Sequence, residues 1–223
     1  MAMATKSFAL ITEGASEHQV IKHLLQHYME EEPVINQIQP EIIDDKQQSV
    51  GGWNEVLKYC EREENLLEIL KYNDFIVIQI DTDMCETESY SVPRNENGHQ
   101  LTSDELWLRV YDRIMNAIPE SVDKSRVIIA ICSETIECWL LPVCCTRDVD
   151  SRHTNQCLSH LNNELRRMNM HVITDKNSEQ SRGIYQAVLK RMRKPKEIKT
   201  ASTFHYGFGK FLEQLDNVEH ECG

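Results

Sequence analysis

The sequence predicts an α/β domain with a central parallel β-sheet flanked by helices, and three observations carry this expectation. Residues 75–80 (FIVIQI) and 127–132 (VIIAIC) are short, almost wholly apolar runs rich in β-branched side chains. Strands buried on both faces of a parallel sheet have that composition. Between such runs lie segments whose apolar residues recur at helical spacing. The alternation of strand and helix, repeated to a fourth strand, is the order of right-handed crossover units.

Taken in order, residues 7–12 (SFALIT) read as a first strand, followed by a turn at Glu13-Gly14-Ala15 and a helix from Glu17. Ser16 and Gln19 form the pattern of a capping box. Val20, Ile21, Leu24, Leu25 and Tyr28 give this helix one apolar face, and Pro33 closes the segment. A second strand is expected within residues 35–43, interrupted by Pro40. Gly51-Gly52 precede a helix that places Trp53, Val56, Leu57, Cys60, Leu67 and Leu70 mostly on one side and delivers the chain to Phe75. Residues 84–102 are polar, contain Pro93, Asn95, Asn97 and Gly98, and read as a long loop of the kind that serves as a lid. Ser103 opens a helix with Asp104 and Glu105 in its first turn and Leu106, Val110, Ile114 and Ile118 on its inner face. The α/β domain thus spans residues 1–145. Residues 146–223 form a mainly helical C-terminal extension packed on it, with apolar sets at Cys157, Leu158, Leu161 and Leu165, at Ile184, Val188 and Leu189, and at Phe208, Phe211, Leu212 and Leu215. A short strand is expected at 170–174.

Hydrophobic residues make up 40% and charged residues 27% of the 223, enough to bury a core and too apolar for a disordered chain. No stretch approaches the roughly 18 uninterrupted apolar residues of a membrane span, and the N-terminus lacks the apolar run of a secretion signal. A cytoplasmic protein without membrane attachment is the expectation. Eight cysteines include no C-x-x-C pair and several sit in apolar runs, which reads as reduced, mostly buried thiols. The formal net charge of −12 argues against general affinity for nucleic acid, so a polyanion must be met locally. Lys190, Arg191, Arg193, Lys194, Lys196 and Lys199 offer such a place, as a phosphate clamp or as a solvated helix end.

The chemistry concentrates at strand ends. The 75–80 run ends on Asp81-Thr82-Asp83, and side chains at i and i+2 of a continuing strand share one side. In a parallel sheet the carboxyl ends of all strands lie on one edge, where ligands bind, so Glu13 and Glu17 from the first unit join Asp81 and Asp83 there. Glu134 and Glu137 follow the fourth strand to the same edge. Packed carboxylates repel one another unless a cation neutralises them, which points to Mg²⁺ or Mn²⁺ and to phosphoryl transfer. Each acid also has a plainer reading: Glu17 suits a helix first turn, the aspartates a strand end, and Glu137 an exposed helix position beside the apolar Trp139, Leu140 and Leu141. The nine histidines are scattered, with His18 beside Glu17.

Glu13-Gly14-Ala15-Ser16-Glu17 after a first strand, with Asp81-Thr82-Asp83 after a later one, resembles the TOPRIM domain of topoisomerases, primases and OLD-type nucleases. Residues 133–141 (SETIECWLL) further resemble the short stand-alone TOPRIM proteins of the RloB-like kind. The resemblance covers residues 7–145. It implies a TOPRIM-like, Rossmann-like sheet and a Mg²⁺- or Mn²⁺-dependent nuclease acting on DNA or RNA, transfer RNA included, as an effector of antiviral defence. Glu13 is then a metal ligand or general acid/base, Asp81 and Asp83 bind metal, and Glu17 and Glu137 are further ligands. The implied partners are an ABC- or SMC-like ATPase, since no G-x-x-x-x-G-K-[ST] occurs in this chain, and a second copy of the protein in a homodimer. A non-catalytic interaction subunit of an ATPase complex is the alternative, and a receiver-like or hydrolase-like α/β protein a third reading.

Overall fold

In the computed structural model, which describes residues 5–43, 46–176 and 178–220, four strands form one parallel sheet. They are β1 (Ser7–Ile11), β2 (Val34–Gln39), β3 (Phe75–Asp81) and β4 (Val127–Cys132), in the spatial order β2-β1-β3-β4. The apolar runs form the inner strands because both of their faces are covered. Phe8, Leu10, Val77, Ile128 and Ala130 pack into one core, and Ala9, Ile11, Ile76, Ile78, Ile129 and Ile131 into the other. This two-residue alternation divides one continuous run between two helix layers.

The first layer holds α1 (Ala15–Tyr28) and four C-terminal helices, α5 (Cys157–Arg167), α6 (Glu179–Leu189), α7 (Pro195–Ser202) and α8 (Tyr206–His220). The second holds α2 (Trp53–Cys60), α3 (Glu63–Tyr72) and α4 (Ser103–Ala117). The chain runs outward from β1 to β2 through α1 on one face, then crosses back over β1 to β3 through α2 and α3 on the other. The strand order therefore reverses between β1 and β3, and a crevice opens beyond their carboxyl ends. Residues 146–220 share a single core with α1 and with the fully buried Trp139, whose ring stacks on Phe208 at 4.6 Å.

The exposed side of β4 is closed by α8. Gln214 accepts from the Ile129 amide at 2.9 Å and donates to the Ile129 carbonyl at 3.0 Å, standing in for a neighbouring strand. Gly207 permits this approach, because a β-carbon there would lie 2.0 Å from the Ile131 carbonyl oxygen. No described helix is long and apolar enough to cross a membrane.

Several local expectations are corrected. Helix α1 begins at Ala15 with Gly14 as its cap and no side-chain cap; Ser16 lies inside the helix, buried, and bonds to Glu17, so there is no capping box with Gln19. The capping box belongs to α4, where Thr102 and Glu105 satisfy each other's amides. The segment after Gly52 is two helices, broken at residues 61–62. Strand β2 ends at Gln39, before a cis peptide to Pro40. Residues 170–174 form no strand; the Asn162 amide pairs with both the amide and the carbonyl of Ile173, taking the part a strand neighbour would have played. In the 84–102 loop, Cys85, Tyr90 and Val92 are buried, so its first half belongs to the core. Cys138 and Cys157 form a disulfide, where free thiols were expected; Cys60, Cys85, Cys132 and Cys144 are free and buried.

Gly207→Ala is expected to destabilise the fold by about 2 kcal/mol through overpacking against β4. Gly183→Ala, in the exposed middle of α6 with open space around it, should stabilise by about 0.5–1 kcal/mol. Urea denaturation midpoints of the two variants measure the contrast.

Candidate active site

Beyond the carboxyl ends of β1 and β3, Glu13 and Asp81 are joined through the backbone. The Asp81 amide donates to Glu13 Oε1 at 2.6 Å, and the Glu13 amide donates to Gln79 Oε1 at 3.1 Å. Gln79, the one polar residue within the apolar run, then donates through Nε2 to Asp81 Oδ1 at 2.8 Å. A fully buried glutamine on an inner strand needs both ends of its amide paired, and these bonds supply that. Gly51 and Gly52 hold Glu13 from above: the Gly52 amide donates to the Glu13 carbonyl at 2.6 Å, and a β-carbon on Gly51 would lie 2.2 Å from that oxygen. Tyr90 donates its hydroxyl to the Asp81 carbonyl at 3.1 Å and stacks on Trp53, tying the 84–102 loop to the strand end.

A second pair of acids comes from the helical layer. Glu17, in the first turn of α1, accepts from the Ser16 hydroxyl at 2.9 Å. Glu137, on the 3-10 turn Ile136–Leu140 after β4, is wholly buried and accepts from the Tyr185 hydroxyl of α6. Between them stands Lys176, whose Nζ lies 2.9 Å from Glu137 and 3.3 Å from Glu17. Neither Lys176 nor Tyr185 stands out in the sequence, because Lys176 belongs to an irregular segment and Tyr185 to an ordinary apolar helix face. The buried Gln79 was the one legible signal, as a polar residue inside a strand that tolerates none.

Burial dominates the electrostatics. It raises the Glu13 carboxyl to about 8, with the Glu17 and Asp83 charges adding and the Asp81 amide opposing. Burial, then the charges of Glu13 and Glu17, raises Asp81 well above the carboxylate range. For Lys176, burial works against the ammonium, but the surrounding Glu17, Glu137 and Asp81 outweigh it and strengthen its hold on the proton. Glu17 and Glu137 thus share one lysine, with Glu13 and Asp81 close enough to feel its charge, a set of acids that attracts additional positive charge.

Asp83 and Glu134 take other places. Strand β3 ends at Asp81 and the chain turns, with the Thr82 and Asp83 amides donating to the Glu134 carbonyl at 2.9 and 3.1 Å. The i, i+2 relation of an extended strand therefore does not apply, and Asp83 is exposed at the rim, beside Glu134, Gln156 and Arg166. Partial desolvation at the rim still raises its carboxyl. The Glu134 carboxylate accepts from the Gln156 and Cys157 amides at 2.5 and 2.7 Å, which makes it a cap for α5. The basic run does not form one clamp. Lys190 and Arg193 face α1, Arg191, Lys194 and Lys196 line a separate hollow beside Pro142 and Phe204, and Lys199 lies 3.7 Å from Asp216 and over the Tyr28 ring.

The donor set fits a hard divalent cation. Glu13, Glu17, Asp81 and Glu137 offer only carboxylate oxygens, and Glu137 Oε2 is buried with no hydrogen-bond partner among the described residues. Among the described residues, three ligand atoms lie mutually within 4.8 Å only at Glu134, Cys138 and Cys157, where the sulfurs are already joined and the carboxylate is a helix cap. The acids of the cluster do not come that close together, so a hard cation bound there would take one or two of them and keep several waters. The chain matches no protein-family model, and no curated protein and no solved structure matches it.

Lys176→Met leaves Glu17 and Glu137 buried without their cation and should cost about 3 kcal/mol in urea denaturation at neutral pH in chelator. Adding Glu137→Gln to that variant should recover part of the loss. A pH dependence follows from Glu13. The folded protein keeps its proton up to about pH 8, whereas the unfolded chain releases it near the ordinary glutamate value of 4.5. Between those values the folded state binds more protons, so stability falls as pH rises, by at most about 1.4 kcal/mol per unit. His205, whose imidazole burial lowers to about 4, acts in the opposite sense below its ordinary value of 6.5. Between pH 6.5 and 8 in chelator, the wild type should therefore lose stability more steeply than Glu13→Gln.

Proposed function

We propose that this protein is a Mg²⁺- or Mn²⁺-dependent nuclease of TOPRIM-like type, hydrolysing phosphodiester bonds in DNA or RNA as the effector of an antiviral defence system with an ATPase partner. The observation that carries this reading is the gathering of Glu13, Glu17, Asp81 and Glu137 around Lys176 at the point where the strand order reverses. The order of the E-G and D-x-D motifs supports it independently.

Glu13 and Asp81 would hold the cation, with Asp83 at the rim and Glu17 and Glu137 serving a second ion. A divalent cation bound there supplies charge neutralisation at the phosphate and a more acidic water for attack. The residues themselves do the positioning. Gln79 and the Asp81 amide fix the carboxylates on rigid strand ends, so little reorganisation is needed as charge develops. In the metal-free protein Glu13 holds a proton at neutral pH, and it would release that proton to take up the cation. Lys176 places a fixed positive charge beside the same crevice.

A second reading rests on Lys176 as well. Its ammonium already satisfies Glu17 and Glu137 without any metal, as in a self-compensated scaffold that acts only as an interaction subunit of an ATPase complex. Two measurements separate the readings. Plasmid DNA, single-stranded DNA and transfer RNA are incubated with Mg²⁺ or Mn²⁺, with and without a genetically linked ATPase. Cleavage by the wild type should fall at least about a hundredfold in Asp81→Asn and in Glu13→Gln, with far-UV circular dichroism unchanged. Full activity in both variants refutes their assigned role, and calorimetry without a Mn²⁺ site favours the scaffold.

A further inference from the structure

On the side of α1 turned away from the sheet lies a cavity of about 610 Å³, bounded by α1, by α6 and the residues after it, and by Gln37 of the edge strand β2. Its lining includes Lys22, Arg182, Lys190 and Arg193, together with three histidines and, among the described residues, no carboxylate. This is unexpected in a chain with 36 acidic against 24 basic residues. None of these four cations forms a salt bridge among the described residues, so their charge is available to a ligand.

Two further features describe what fits. Gln19 donates through Nε2 to the Arg182 carbonyl at 3.2 Å, while its Oε1 is buried and accepts from nothing among the described residues. The cavity therefore offers an orphan acceptor among cationic donors, suited to an anion that also carries hydroxyl or amino hydrogens. The lining follows α1 from Ala15 to His27, about 18 Å at 1.5 Å per residue. That length is enough to meet several consecutive phosphates of one strand. Its Ala15 end is the first turn of α1, the turn that carries Glu17 into the acid cluster.

We infer that this cavity is the binding track for the sugar–phosphate backbone of a nucleic-acid strand, leading it to the acid cluster along α1. The inference rests on the nuclease reading for where the strand ends, while the binding itself is independent of cleavage. The phosphates meet Lys22, Arg182, Lys190 and Arg193, and Gln19 takes a hydrogen bond from a sugar hydroxyl or base amine. The track explains how an acidic protein engages a polyanion: four cations line one concave surface to which no carboxylate of the described residues contributes.

The test uses the full chain in chelator, where no cleavage occurs, with a fluorescent twelve-nucleotide single strand of DNA or RNA followed by anisotropy over a salt series. Lys22→Gln with Arg182→Gln should weaken binding at least about tenfold and reduce the slope of log affinity against log salt by about 1.4 to 1.8. Lys194→Gln with Lys196→Gln, in the separate hollow, should leave affinity within about twofold. If the first pair fails to fold by circular dichroism, the exposed pair Lys190→Gln with Arg193→Gln takes its place with the same expectation. The inference is overturned if the wild type does not bind the strand, if the control pair weakens binding equally, or if a nucleoside monophosphate competes as well as the whole strand. Cleavage assays on the same variants keep the two proposals apart. Strand binding through the cavity without cleavage under any metal sinks the nuclease reading alone, and cleavage with unaltered binding in the cavity variants sinks the track alone.

Discussion

The arrangement around the crevice depends on one constraint: carboxylates brought together out of water must find positive charge or protons. Glu13 and Asp81 meet it by retaining protons under burial, and Glu17 and Glu137 by sharing Lys176. Isolated buried charges would not survive folding, so the segment that supplies Lys176, between α5 and α6, is as necessary to the cluster as the strands that supply the acids. That segment is held in place because the C-terminal helices and the α/β sheet share one apolar core.

Strand order places that cluster. Because β1 sends the chain outward on one face and β3 receives it back on the other, the ends of these two strands face a gap that neither helix layer fills. Backbone groups then lock the gap's walls. Gln79 ties β1 to β3, the Glu134 carbonyl receives the turn after Asp81, and the glycine pair at 51–52 presses on Glu13. At the far edge, Gln214 and Gly207 let α8 close β4, so the open edge of the sheet is left to β2, beside the cationic cavity.

Much of this was legible in residue patterns. The strands at 75–80 and 127–132, the inner face of α1 and the acids Glu13, Glu17 and Asp81 at one edge all follow from apolar periodicity and the rule that parallel strands share a carboxyl edge. The departures have local causes. Asp83 leaves its expected partnership because the strand stops one residue after Ile80 and the turn is captured by Glu134. Glu134 turns away because the first amides of α5 need an acceptor. Helix α1 starts earlier than its Ser16 suggested, since a buried serine hydroxyl bonds Glu17 in preference to the backbone.

The sequence by itself determined the strand and helix periods and the set of acids at the strand ends, because these depend on neighbours a few residues apart. Only the tertiary structure decided that Lys176 stands between Glu17 and Glu137, that Cys138 pairs with Cys157, and that Lys22 and Arg182 line one cavity with Lys190 and Arg193. The bonded pairs are separated by 19 to 159 positions, and Lys22 lies 160 to 171 positions from the other three cavity cations. No periodicity links such residues; they meet because strand order and helix packing fold distant segments onto the same edge.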